Sequence, residues 1–218
     1  MNTKRIFTWG GFIILIGLII WGMIAASQKS AKEGASLPLP DQITATDHIK
    51  GNASSTVTLV EYSDFQCPAC AGYFPVVEKL FREASTTMRL VYRHFPLSQH
   101  ANAIPAALAS EAAGKQGKFW EMYEMLFTNH DLWENSKNAK TIFSGYAEKL
   151  GLDMNKYNLD VDSRELKDKV DTDMKGGVKA GVNSTPTFYL NGKKVQNPNG
   201  YAEFKKLIDE ALTPTYKL

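Results

Sequence analysis

A β-branched, apolar run, TVTLVEYS at residues 56 to 63, is followed after three residues by CPACAGYFPVVEKLFREAS at residues 67 to 85, and the junction holds Cys67 and Cys70. The first run is apolar enough to be an interior strand. In the second, Phe74, Val77, Leu80 and Phe81 recur at helical spacing, and Pro75 predicts a kink. Ser63 and Asp64 are both good helix-capping types and mark the passage from strand to helix. A strand-to-helix turn that carries both of the chain's cysteines is the feature every fold proposed for it must accommodate.

The later text extends one pattern. MRLVYRHF, residues 88 to 95, reads as a second interior strand. Residues 99 to 159 are Ala-rich without a strand signal and predict a block of several helices. Within it, FWEMYEMLF sets Phe119, Met122, Tyr123 and Leu126 along one face. Such a face is more often core, although methionine and aromatic side chains also suit a surface that binds varied partners. VDSRELKDKVDTDMKGGVKAGV, residues 161 to 182, predicts a helix capped by Asp162 or Ser163 and ending near Gly181. TPTFYLNGKKVQ predicts two short strands about an Asn191-Gly192 turn, and GYAEFKKLIDEAL a closing helix. The order β-α-β, helical block, α-β-β-α packs helices on one mixed sheet: an α/β fold with a helical insertion at about residues 99–159. With 218 residues, 44% of them apolar, the chain can bury one good-sized core.

Residues 6 to 26, IFTWGGFIILIGLIIWGMIAA, carry no charge. As a helix they would reach roughly 32 Å, enough for a hydrocarbon core of about 30 Å. Residues 1–27 are therefore expected to be a transmembrane anchor and 28–46, with Pro38 and Pro40 near the end, a tether to the domain at 47–218. The alternatives are a signal peptide cleaved near Ala25-Ala26-Ser27, although such apolar regions are shorter, and a buried core helix. Lys4 and Arg5 directly before the run favour a cytoplasmic N-terminus. The domain then lies in an extracytoplasmic, disulfide-permissive space, a periplasm or the outer face of a cell membrane. The formal charge of +2 includes Lys4, Arg5, Lys29 and Lys32. Setting those four aside from 25 basic residues leaves 21 against 23 acidic ones, so nucleic acid is a poor partner.

Four readings compete for the cysteine pair. A cross-link over four residues would stabilise the fold by only about 2 kcal/mol, near the bottom of the useful range. A zinc site lacks a second cysteine pair, and His48, His94, His100 and His130 form no H-x₃₋₅-H partner, so no metal is expected. Two incidental buried thiols would not need this spacing. The redox reading accounts for more: a cysteine at a helix start meets unpaired N–H groups and the positive end of the macrodipole, and both lower its pKa. Cys67 would be the nucleophile and leaving group, with Cys70 one turn later to close the disulfide. Glu61, within an apolar strand, would be either solvent-facing on a sheet edge or raised in pKa and used as a proton acceptor. Thr185-Pro186 puts a proline at the start of a short strand, one of the few places a strand accepts one.

On VTLVEYSDFQCPAC, VYRHFPL, GKFWEMYEMLF and GVNSTPTFYLNG, the chain from about His48 onward resembles membrane-anchored DsbA-like thiol-disulfide oxidoreductases of the thioredoxin superfamily. The resemblance implies a thioredoxin-like fold and an enzyme that needs no cofactor. It implies a buried carboxylate at Glu61 that relays the proton of Cys70, the alternative being an ordinary strand carboxylate. It also implies a cis proline at Pro186 facing the cysteines, with the Thr185 backbone open to an extended client; the blander reading is a turn proline opening an edge strand. Pro75 matches the family's kink proline. Ala69 stands where DsbA-type oxidases often carry His, which makes Cys67 less acidic and the disulfide less oxidising than in the strongest oxidants. The expected activity is disulfide introduction into unfolded or reduced clients, with re-oxidation by an external partner such as a quinone-linked membrane oxidase. The rivals are a membrane-tethered reductase or isomerase using the same pair in reverse, and a non-catalytic binding module or chaperone. His94 and His100 are expected to be structural or surface residues, with a place lining the site as the alternative.

Overall fold

The computed structural model describes residue 40 and residues 42–213. The anchor expected over 1–27 and the first part of the tether lie outside them. Among the described residues, no helix is long and apolar enough to cross a membrane.

The chain runs β1 (His48–Gly51), β2 (Val57–Ser63), α1 (Pro68–Ala84), β3 (Met88–His94), α2 (Ala103–Gly114), α3 (Phe119–Thr128), α4 (His130–Trp133), α5 (Ala139–Lys149), α6 (Met154–Val161), α7 (Arg164–Ala180), β4 (Thr187–Leu190), β5 (Lys193–Val195) and α8 (Tyr201–Leu212). The strands form one sheet in the order β1-β3-β2-β4-β5. Only β2 and β3 are parallel, with α1 as the crossover between them, and β1, β4 and β5 pair antiparallel to their neighbours. This is the mixed sheet expected from the element order. β1 was not expected: HIKG is four residues long with one large apolar side chain, too little for a period-2 pattern.

Strand β2 is central and every residue of it is buried. Its alternation sends Val57 and Leu59, with Met88, Leu90 and Phe188, into a layer with Val77 and Leu80 of α1 and Phe204 and Ile208 of α8. Val60 and Tyr62, with Val91 and Tyr189, face the opposite side, where they pack with Met174 of α7. There α7 comes close because residue 177 is glycine: a Cβ at Gly177 would lie 2.7 Å from Phe95 Cδ2 and 3.0 Å from Tyr62 Cδ1. Ser163 Oγ accepts the Leu166 N–H at the start of α7, and Gly181 ends it at φ 87°, the left-handed geometry glycine adopts without cost. The β4–β5 turn uses Asn191 at φ 48° and Gly192 at φ 77°, as the Asn-Gly pair predicts.

Helices α2 to α6 are the insertion, starting at Ala103 and ending at Val161. They enclose their own core around Met122, Tyr123, Leu126, Trp133 and Phe143, which continues to Phe65, Cys70 and Tyr92. Phe119, Met122, Tyr123 and Leu126 are all buried. Their face is therefore core and not the binding surface held open as the alternative.

Candidate active site

Helix α1 begins at the cysteines. Cys67 is its N-cap residue in extended geometry, Pro68 follows inside the first turn, and no side chain caps the helix. Ser63 and Asp64 thus do not act as helix caps. The Asp64 carbonyl accepts the Cys67 N–H at 3.0 Å, while its carboxylate accepts from Gln66 N (2.8 Å), Leu97 N (2.9 Å) and His100 Nδ1 (2.7 Å). The local signal for a cap was sound, but the loop after β3 turns toward Asp64 and captures its carboxylate. Pro75 sits within α1 without ending it.

The two thiols are free, and their environments drive them apart. Cys67 is lowered to about 5. The largest cause is a hydrogen bond from the Cys70 thiol; the Thr185 hydroxyl and the N–H groups of Cys70 and Ala69 add to it, and burial opposes them. When protonated, the Cys67 thiol instead donates to the Thr185 carbonyl, 3.5 Å away. Cys70 has no exposed surface and is pushed well above the ordinary thiol value, by burial first, then by donating to Cys67 and by the charges of Cys67 and Glu61. One sulfur is a ready thiolate and its neighbour holds its proton.

Glu61 lies on the same face of β2 as Val57 and Leu59, toward α1, and is 2% exposed. Because β2 is central, the solvent-facing edge alternative for Glu61 fails. Burial raises its carboxyl to about 7, the Ser63 hydroxyl pulls against that rise and the Glu78 charge adds to it. Its Oε2 has no hydrogen-bond partner among the described residues. A carboxyl titrating near neutrality can hold or release a proton under working conditions.

The peptide bond between Thr185 and Pro186 is cis, and Pro186 immediately precedes β4. The fold thus brings Cys67, Cys70, Thr185 and Pro186 together, with Glu61 beneath the pair in the sheet. Sequence reasoning missed the loop's supports. Gln66 donates from Nε2 to the Glu134 carbonyl (2.6 Å), accepts the Asn102 N–H at Oε1 (2.6 Å), and takes the His130 Nε2–H on its own carbonyl (2.9 Å). His100 supports Asp64, and His94 is buried.

Two of the histidines scattered in sequence do converge. His48 Nε2 and His94 Nε2 both reach Glu111 Oε1, at 2.9 and 2.8 Å, and hold that carboxyl well below the usual carboxylate range against the opposing effect of burial. Lys169 Nζ lies 3.8 Å from the same oxygen and 2.5 Å from Asp173 Oδ2. The ammonium occupies the place between the carboxylates that a metal would need, so this cluster is an internal ion network.

The sequence profile of the family described as Thioredoxin matches residues 43–210. The chain belongs to the thioredoxin family. A thioredoxin-like oxidoreductase from Silicibacter pomeroyi DSS-3 is 28% identical and superposes with a TM-score of 0.66, covering 77% of this chain and 93% of that one. Oxidised BdbD from Bacillus subtilis is 25% identical with a TM-score of 0.66, over 76% and 92%. Within the thioredoxin family the build, a sheet interrupted by a helical block, is that of the DsbA-like thiol-disulfide oxidoreductases. An Na(+)/H(+) antiporter NhaA of Herminiimonas arsenicoxydans is 34% identical over 188 residues, 85% of this chain but 29% of the antiporter. The chain spans less than a third of the length of the curated relatives it matches.

Proposed function

We propose that this thioredoxin-family domain is an extracytoplasmic thiol-disulfide oxidoreductase that introduces disulfides into client proteins through Cys67 and Cys70. The observation that carries the reading is the split between the two thiols, Cys67 lowered to about 5 and Cys70 pushed well above its ordinary value. A client thiolate attacks Cys67 Sγ of the oxidised pair. A client–Cys67 disulfide forms, the Cys67–Cys70 bond breaks, and the Cys70 sulfur takes up a proton, for which the neutral Glu61 carboxyl is the donor. A second client thiolate then attacks the client sulfur of the mixed disulfide. Cys67 leaves as the stable thiolate, the client departs with its own disulfide, and two electrons have passed to the protein. Thr185 and Pro186 line the approach, where the Thr185 backbone would pair with an extended client.

The chain holds two cysteines, so no internal relay restores the disulfide and an external oxidant must accept the electrons. A quinone-linked membrane oxidase fits that role, and the uncharged run at residues 6 to 26 supports an anchor that would keep the two in one bilayer. Equilibration with glutathione tests the direction: a potential near −120 to −180 mV supports the oxidase, and one near thioredoxin's, about −270 mV, overturns it in favour of a reductase. Trapping clients on Cys70→Ser as mixed disulfides tests the exchange itself, and a non-catalytic binding module would trap none.

A further inference from the structure

Beside the first turn of α1 lies a cleft of about 400 Å³, walled by Pro68, Ala71 and Gly72 on one side and by His130, Asp131 and Glu134 on the other. His130 is 5% exposed, and its Nε2 points at the carbonyl of Gln66. A carbonyl can only accept, so Nε2 donates its proton there and Nδ1 is the ring atom turned to other partners. Nδ1 faces Asp131 Oδ1 at 3.5 Å and Glu134 Oε2 at 3.7 Å. One ligand atom from each of His130, Asp131 and Glu134 thus lies within 4.8 Å of the other two. Neither carboxylate pairs with a lysine or arginine among the described residues, and neither residue type lines the cleft.

We propose that His130, Asp131 and Glu134 form a divalent metal site of the zinc class. Zinc bonds of about 2.0–2.1 Å to nitrogen and oxygen at tetrahedral angles set neighbouring ligand atoms roughly 3.3–3.5 Å apart. The two separations from Nδ1 need only a few tenths of an ångström of closure, and Asp131, on the surface, can turn to bring its oxygen toward that of Glu134. The cleft leaves the fourth position to water. The remaining support is already built, because metal-ligating imidazoles donate their other N–H to a carboxylate, carbonyl or water that fixes the ring. Here that partner is the carbonyl of the residue before Cys67, so a metal on Nδ1 polarises the ring and tightens the turn from which Cys67 projects.

The test uses untagged full-length protein in its disulfide form, so that the cysteines are spent as ligands, titrated calorimetrically with zinc chloride. The proposal expects one saturable equivalent and a zinc-dependent shift of the His130 Nδ1 resonance. Asp131→Asn and Glu134→Gln, both outside the redox pair, are expected to weaken binding by about 10–100-fold. Their thiol-exchange rates in chelator should equal that of the wild type. No saturable binding overturns the proposal, as does binding that both variants retain unchanged or that leaves the His130 resonance unmoved.

Discussion

Replacing Glu61 with Gln isolates what it costs to keep an acid in the middle of the sheet. The folded-state carboxyl titrates at about 7 against an ordinary value of 4.5, and burial is the main cause. The protonated form is the one that burial tolerates. The stability it contributes is therefore fully present below pH 4.5 and is lost as pH rises through 7, where folding must bury a charge. A displacement of that size corresponds to roughly 3 kcal/mol. Glutamine is isosteric and never ionises, so Glu61→Gln should match the wild type to within a constant near pH 4.5. It should gain on the wild type by roughly 3 kcal/mol by about pH 8.5. Urea unfolding of the reduced proteins across that range measures the difference, and the titration of Cys67, common to both, largely cancels. Curves that stay parallel at every pH would refute the reasoning, since they would mean that water or an unseen donor satisfies the folded-state carboxylate.

Two further outcomes follow from the same geometry. The thiolate absorbance of Cys67 should titrate near pH 5, and Cys70→Ala, by removing the largest cause, should raise the midpoint further than Cys70→Ser, which keeps a donor; equal midpoints in all three proteins would remove the Cys70 contact as the cause. Glu111→Gln leaves His48, His94 and Lys169 around a neutral amide and should destabilise the fold by about 3–5 kcal/mol in urea. The loss should be largest at neutral pH and shrink as pH falls below 4.5, because the lowered carboxyl contributes its stability above its unfolded value.

What the sequence made legible was local. TVTLVEYS, the helix after Cys67, the Ser163 and Gly181 ends of α7 and the Asn191-Gly192 turn are each written within a few neighbouring residues, and the structure places them as read. The Glu61 alternatives divided on whether its strand was an edge, which only strand order decides. Asp64 looked like a cap because its competitors for hydrogen bonds, Leu97 and His100, lie more than 30 residues away. The convergence of His48 and His94 on Glu111 was invisible for the same reason, since no spacing rule joins partners 63 residues apart. β1 escaped because a four-residue edge strand needs no pattern of its own once β3 offers a free edge.

Cys67 and Thr185 meet although they stand 118 positions apart in the chain, and β4, which begins just after Pro186, closes the sheet on β2 only after the whole helical block has been made. During synthesis both sulfurs emerge early, and the carbonyl and hydroxyl that will flank Cys67 arrive late. At typical elongation rates of about 5–20 residues per second, the nascent thiols spend several seconds without their finished surroundings. Throughout that interval its two cysteines are those of an unfolded, thiol-bearing chain, the kind of client proposed above, so under that proposal finished copies of the protein could act on new ones.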